Sequence, residues 1–317
     1  MELAIQAQAL TKRYPSQKGG HPAVGDLDLT VVPGQLYGLV GPDGAGKTST
    51  IRMLSTVMTP TAGHARVAGF DVTDEAERAR PHVGYMPQAF SLYPDLSVIE
   101  NLHFFADIHG VPAGRRKQRI AELLEFARLT QFQRRRSQHL SGGMRKKLAL
   151  ACALVHDPQV LLLDEPTTGV DPVSRRELWR ILTGVIQRGV TVLVSTPYMD
   201  EAERCHQVGI MYGGRLLTSG EPAALMADLP FEMLEVKARP RRVMRQVVEG
   251  TAGILHWRPV GDRLRLSVQN LDGVQSSLAA SLPAAGAQVS ILRRVKATME
   301  DVFMHLVETR RAGWAEA

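Results

Sequence analysis

The run Gly41-Pro42-Asp43-Gly44-Ala45-Gly46-Lys47-Thr48 sets two glycines five residues apart, followed directly by a lysine and a hydroxyl. Glycines so spaced let successive backbone N–H groups close around phosphate oxygens, and a helix starting at that point adds positive potential. Lys47 then reaches the β- and γ-phosphates of a nucleotide, and the Thr48 hydroxyl becomes a Mg²⁺ ligand. Much further along, Val160-Leu161-Leu162-Leu163-Asp164-Glu165 is an apolar strand ending in two carboxylates. An open parallel sheet places its ligand at such strand ends, beside the phosphate loop. There Asp164 would hold Mg²⁺, usually through water. Glu165, the next residue, would face an attacking water as general base.

Between the two lies Leu140-Ser141-Gly142-Gly143-Met144-Arg145-Lys146-Lys147. Taken alone it is a serine-capped helix start; its small residues and helix N-terminus also suit contact with a γ-phosphate. With this stretch in place, the chain from about Leu3 to Gly220 resembles the ATP-binding cassette (ABC) ATPases of the drug-exporter type, whose signature is LSGG. The resemblance implies a nucleotide site built from Gly41, Pro42, Asp43, Gly44, Ala45, Gly46, Lys47, Thr48 and Ser49, with ATP and Mg²⁺ as ligands. It further implies that Ser141, Gly142 and Gly143 complete the site of a second cassette packed head to tail. Gln88, in Tyr-Met-Pro-Gln, matches the family's Q-loop glutamine, which senses Mg²⁺ and touches the transmembrane partner. Asp171, in Thr-Thr-Gly-Val-Asp-Pro, matches the aspartate at the cassette interface, and Tyr14 the aromatic that stacks on adenine. The candidate catalytic set is thus Glu165, Lys47 and Gln88; the candidate metal set is Thr48, Gln88 and Asp164.

Two positions depart from the family pattern. After the strand Thr191–Val194 the family reads Ser-Thr-His, whereas this chain reads Ser195-Thr196-Pro197-Tyr198. Proline has no side-chain donor and no backbone N–H, and neither His156 nor His206 stands in the pattern as a substitute. Asp43 replaces the usual asparagine, and a carboxylate near bound phosphates weakens binding unless it points away or pairs with a cation. Both features resemble the first cassette of certain tandem-cassette drug exporters. Two arrangements remain open: a slow, nucleotide-holding site paired with a different, complete cassette, or a homodimer that hydrolyses without the histidine.

Elements able to position these residues can be read from the pattern. Residues 1–40 are β-rich, with strands at Leu27–Val32 and Gln35–Val40 around a Pro33-Gly34 turn, then a helix over Lys47–Met58 and a strand at Ala65–Ala68. From Ser91 to Val155 the spacing becomes helical, and Ser97 three residues before Glu100 signals a capping box. Strand Val160–Leu163, helix Ser174–Gln187, strand Thr191–Val194 and helix Met199–Cys205 alternate as crossovers of a parallel sheet do. A hairpin, Val208–Tyr212 and Arg215–Ser219, turns at Gly213-Gly214. The expected fold is α/β: a phosphate-loop nucleotide-binding domain over 1–222, with a mixed-sheet core, an antiparallel β subdomain and a helical subdomain at about 89–155. A second unit over 230–309 reads as strand 231–237, helix 240–249, strands 252–258 and 262–268, helix 271–281 and strand 287–293, then a helix at 298–308. That order is a small α+β, ferredoxin-like domain.

Composition bounds the remaining choices. At 317 residues, 44% hydrophobic and 22% charged, the chain is long enough for two domains and ordinary for a globular protein. Its two cysteines, Cys152 and Cys205, fit neither a zinc site nor a disulfide framework, and suit a reducing cytosol. No apolar run approaches the roughly 18 residues needed to cross a bilayer, and the N-terminus lacks the order of a signal peptide. If the chain takes part in transport, transmembrane permease subunits supply the pore, and the expected location is cytoplasmic, peripheral on the inner face of the membrane. Phe90, Leu92, Tyr93, Pro94, Leu96, Phe104 and Phe105 resemble the surface that receives a permease. The net charge of +6, with basic clusters such as Arg134-Arg135-Arg136, leaves a second class open, a cassette acting on nucleic acid or ribosomes. A single cassette without zinc modules or long coiled coils argues against it, so nucleic acid is not an expected partner.

Overall fold

The computed structural model describes residues 3–15, 21–89 and 91–315, with side chains as far as Arg310; Phe90 lies outside the described residues. The chain divides at residues 222/223 into two compact units. In the first, β1 (Ile5–Lys12) and β2 (Val24–Val31) pair antiparallel, and β3 (Leu36–Val40) leads through the glycine loop into α1 (Lys47–Leu54). β4 (Ala62–Val67) and β5 (Phe70–Asp71) extend the antiparallel sheet to the order β2-β1-β4-β5. After α2 (Ala76–Ala79) and β6 (Val83–Met86) come the helices α3 (Val98–Ile108), α4 (Ala113–Phe126) and α5 (Gly142–Ala153). The core resumes with β7 (Val160–Asp164), α6 (Pro172–Gln187), β8 (Thr191–Thr196), α7 (Met199–Ala202), β9 (Gln207–Tyr212) and β10 (Arg215–Gly220).

The central sheet runs β10-β9-β3-β8-β7-β6, parallel except for β10. β7 and β8 are buried along their whole length, which is why they read as unbroken apolar runs: a parallel strand is covered on both faces. Because β3, β7 and β8 are parallel neighbours, their C-terminal ends fall at one edge. The glycine loop, the Asp164-Glu165 pair and Pro197 therefore gather there. The expected capping box is present, with Glu100 N donating to the Ser97 hydroxyl and Ser97 N to the Glu100 carboxylate. Both cysteines, Cys152 on α5 and Cys205 after α7, are free and buried.

Several expectations need correction. α1 stops at Leu54 rather than Met58, because Thr56 takes a left-handed conformation (φ 61°) that ends the helix. α7 is likewise shorter, ending at Ala202. Strand β6 was not anticipated: it is four residues long and contains Gly84, where a Cβ would stand 2.4 Å from the Ala153 carbonyl oxygen. The glycine that weakens the strand signal is required by that close approach.

The second unit begins at 223, earlier than the expected 230, and includes most of α8 (Pro222–Ala227). It continues through β11 (Glu232–Arg239), α9 (Arg241–Glu249), β12 (Ile254–Val260), β13 (Arg263–Val268), α10 (Leu271–Ala284), β14 (Gln288–Val295) and α11 (Met299–Ala315). Its sheet has the order β12-β13-β11-β14, antiparallel throughout. Leu234, Val236, Leu264 and Leu266 pack against Met244 and Val248 of α9 and Leu278 and Leu282 of α10. Asp301 at the start of α11 is buried, accepting from Arg258, Arg265 and Thr298.

Candidate active site

The glycine loop is shaped by backbone demands. Gly44 and Gly46 are left-handed (φ 77° and 105°), and a Cβ at Gly46 would lie 2.5 Å from the Ala23 carbonyl oxygen. The loop is tied to the neighbouring strand by Gly41 N donating to Thr196 O, 3.3 Å. Pro197, where the family pattern has histidine, therefore follows directly at the edge of the loop. Lys47 is almost wholly buried and donates to the carbonyl oxygens of Gly41 (2.8 Å) and Pro42 (2.9 Å). Its Nζ also lies 3.5 Å from Glu165 Oε1. Asp43 is exposed, so its carboxylate is hydrated rather than enclosed with the loop N–H groups.

At the end of β7 the two carboxylates are held in place by their neighbours. Asp164 Oδ1 accepts from Thr48 Oγ1 (3.0 Å) and from Ser195 Oγ (2.8 Å), while Ser195 Oγ accepts from Glu165 N (3.0 Å). Glu165 Oε2 accepts from Gln88 Nε2 (2.9 Å) and Thr168 Oγ1 (3.1 Å). Glu165 is left-handed (φ 48°), a conformation that costs a non-glycine residue energy and persists only where surrounding contacts enforce it. Asp164 Oδ2 is buried and has no hydrogen-bond partner among the described residues. A carboxylate oxygen so placed, beside the Thr48 hydroxyl, has the chemistry of a hard divalent cation's ligand, and Thr48, Asp164 and the adjacent Gln88 fit Mg²⁺.

Lys146 enters the same neighbourhood from α5. Its side chain is buried, Nζ donates to Gln88 O at 3.0 Å, and burial holds its pKa below the usual lysine value although Asp164 and Glu165 pull it upward. Tyr14 is half-buried, its hydroxyl 3.0 Å from Ser49 Oγ and 3.5 Å from Met58 Sδ, which sets the ring against the side of α1 that carries the loop.

Not every candidate joins this cluster. Ser141 caps α5, its hydroxyl accepting from Met144 N at 3.2 Å. Asp171 caps α6, accepting from Val173 N and Ser174 N, both at 3.0 Å; the Ser174 hydroxyl first, then these backbone bonds, hold its carboxyl below the usual aspartate range. A Cβ on Gly143 would meet Ser174 Oγ at 2.3 Å, so the signature and the Asp171 cap adjoin each other. Among the described residues no hydrogen bond joins Ser141, Gly142 or Gly143 to the glycine loop of their own chain. His206 Nδ1 accepts from Leu36 N (2.9 Å), and His156 bonds Val83 O (3.1 Å) while stacking on His109, so neither occupies the place of the missing histidine. Ser195, Thr168 and Lys146 were not singled out from the sequence. Ser195 and Thr168 each lie within three residues of a motif residue or of Pro197, and that proximity was the available signal.

Comparison with known proteins gives consistent matches. Residues 24–168 match the family described as ABC transporter. The chain is 46% identical over 251 residues to the probable multidrug ABC transporter ATP-binding protein YbhF of Escherichia coli (strain K12), covering 78% of this chain but 43% of that protein. It thus spans less than half the length of that curated relative. It is 38% identical over 308 residues to the Nod factor export ATP-binding protein I of Cupriavidus metallidurans, covering 96% of this chain and 98% of that one. Among solved structures, an ATP-binding subunit of an ABC transporter superposes with a TM-score of 0.64 at 28% identity, over 71% of this chain and 92% of that chain. A dimeric ATP-binding cassette in a post-hydrolysis state, bound to ADP and Pi, superposes with a TM-score of 0.63 at 24% identity, over 68% of this chain and 98% of that one, and shows the shared fold.

Proposed function

The chain belongs to the ABC transporter ATP-binding family, and from that premise we propose that it is the ATP-hydrolysing subunit of an exporter. It powers separate transmembrane permease subunits by ATP-driven pairing of two cassettes. The observation that carries the reading is Glu165, whose two carboxylate oxygens lie against Lys47 on one side and Gln88 with Thr168 on the other. The backbone N–H groups of the glycine loop and Lys47 bind the phosphates. Glu165, fixed through its own N–H by Ser195, takes the proton of the attacking water. Thr48, Asp164 and Gln88 would hold Mg²⁺, which supplies charge neutralisation for the phosphates when bound.

Ser141, Gly142 and Gly143 serve a partner cassette's γ-phosphate, and Asp171 lies at that junction. Tyr14 supports the adenine. With proline at 197, the chain's own site is slow and mainly holds nucleotide, and a complete cassette, another chain or another domain, does most of the hydrolysis. The names of its relatives favour multidrug or small-molecule efflux as the task. No described helix is long and apolar enough to cross a membrane, so the pore belongs to the permease, on which this subunit docks from the cytoplasmic side. Exposed Tyr93, edge-to-face with Phe104 (4.3 Å between ring centres), with Leu92, Pro94, Leu96 and Phe105, forms the docking face. The second unit is a ferredoxin-like accessory domain.

The test is steady-state Mg-ATPase activity of the purified chain beside Glu165→Gln. Loss of the base lowers turnover by about 10²-fold or more while ATP binding is kept. Activity that survives Glu165→Gln would sink the assignment. Cosedimentation with membranes carrying candidate permeases, against duplex DNA at raised salt, tests the partner.

A further inference from the structure

Glu201, on α7, is fully buried, and its carboxylate receives four hydrogen bonds from three segments. Oε2 accepts from Thr167 Oγ1 (3.0 Å), in the loop after Glu165, and from Thr196 Oγ1 (2.6 Å), at the end of β8. Oε1 accepts from Arg175 Nε (2.6 Å) and Trp179 Nε1 (3.1 Å), both on α6. Arg175 goes further: its Nη2 donates to both oxygens of Asp200 at 3.0 Å, and its guanidinium lies 4.5 Å from the centre of the Tyr198 ring. Thr196 Oγ1 also accepts from Tyr198 N, closing the turn that contains Pro197. A carboxylate wholly removed from water is expensive unless every lone pair is matched, and here the four donors that match it come from three separate places and tie them together. A core needing only stability could fill the volume with apolar side chains.

The three segments have one thing in common. Residues 164–168 carry the reacting carboxylates, the start of α6 carries Asp171 one turn before Arg175, and 195–201 carry Ser195 and the Pro197 turn. We propose that Glu201 and Arg175 are positioning residues. They make these segments move as one body, so that engagement of Asp171 by a partner reaches Glu165 and the Pro197 turn together. The proposal rests on the nucleotide-site reading above. Neither residue touches the reacting atoms, so loss of the pair should lower kcat with little change in KM.

The experiment uses the purified full chain as wild type, as Arg175→Met/Glu201→Gln, which leaves no unpaired buried charge, and as Arg175→Lys. The lysine variant keeps the cation but cannot fork to Glu201, Asp200 and Tyr198 at once. Hydrogen exchange is read with and without Mg-ATP, alongside binding of a fluorescent ATP analogue and thermal melting. Wild type should show exchange slowed by nucleotide jointly in 164–171 and 195–201. Both variants should bind the analogue within about threefold of wild type yet lose the slowing around Asp171 at the start of α6, while Ser195 still holds 164–165 to β8. Where a variant melts too early to bind nucleotide, the other decides. Joint slowing that persists in a folded variant, or is absent from wild type that binds nucleotide, overturns the proposal. Wild type that does not bind Mg-ATP overturns the nucleotide-site reading instead.

Discussion

At the scale of the residue, the site depends on neighbours that motifs do not name. Asp164 and Glu165 were legible because two carboxylates ending an apolar run are conspicuous. Ser195, which fastens both, was not, since a serine at a strand end has no pattern of its own until β8 is known to lie beside β7. Pro197 was legible as a departure, and the Gly41–Thr196 hydrogen bond explains why it matters: the residue after Thr196 stands at the phosphate loop. Pro197→His should raise Mg-ATPase turnover about tenfold if the proline is what slows the site. Unchanged turnover in a well-folded Pro197→His would show that the missing histidine is not limiting.

Elements decide whether the signature can be presented at all. α5 begins where Ser141 caps it, and it can lie close to α6 only because position 143 has no side chain. Gly143→Ala forces a methyl to within 2.3 Å of Ser174 Oγ and should lower stability by about 1–3 kcal/mol in urea titrations, with Ser174→Gly restoring part of the loss. In the second unit, Asp301→Ala removes the buried acceptor shared by Arg258, Arg265 and Thr298, leaving Arg258 with Glu300 and Arg265 with the Lys296 carbonyl. It should cost about 3 kcal/mol, read as a lower denaturation midpoint of that unit. Helices and long strands showed themselves through period and capping. Short pieces such as β5 and β6 did not, because two to four residues carry no period and pairing alone defines them.

For the molecule as a whole, stability should fall on mild acidification. Burial, with the His109 ring stacked 3.9 Å away, pushes the His156 pKa down to about 4. The folded state keeps this imidazole neutral, while the unfolded chain takes up a proton below about pH 6.5. Stability is therefore lost as pH drops from about 6.5 towards 4, by on the order of 2 kcal/mol. Denaturant midpoints across that window should slope less in His156→Gln than in wild type. Chain order and the α/β alternation were readable from sequence, whereas the joining of distant segments by Glu201 depends on contacts made only when α6, α7 and β8 are packed. The two buried cysteines have a practical consequence. Burial raises both thiols, that of Cys205 to about 12, so at neutral pH neither offers thiolate to a maleimide. The natural chain should therefore be silent towards such reagents, and a cysteine placed at exposed Val173, beside Asp171, should take a paramagnetic or fluorescent label alone. Distances between two such labels, with and without Mg-ATP, would read the pairing of cassettes directly in solution.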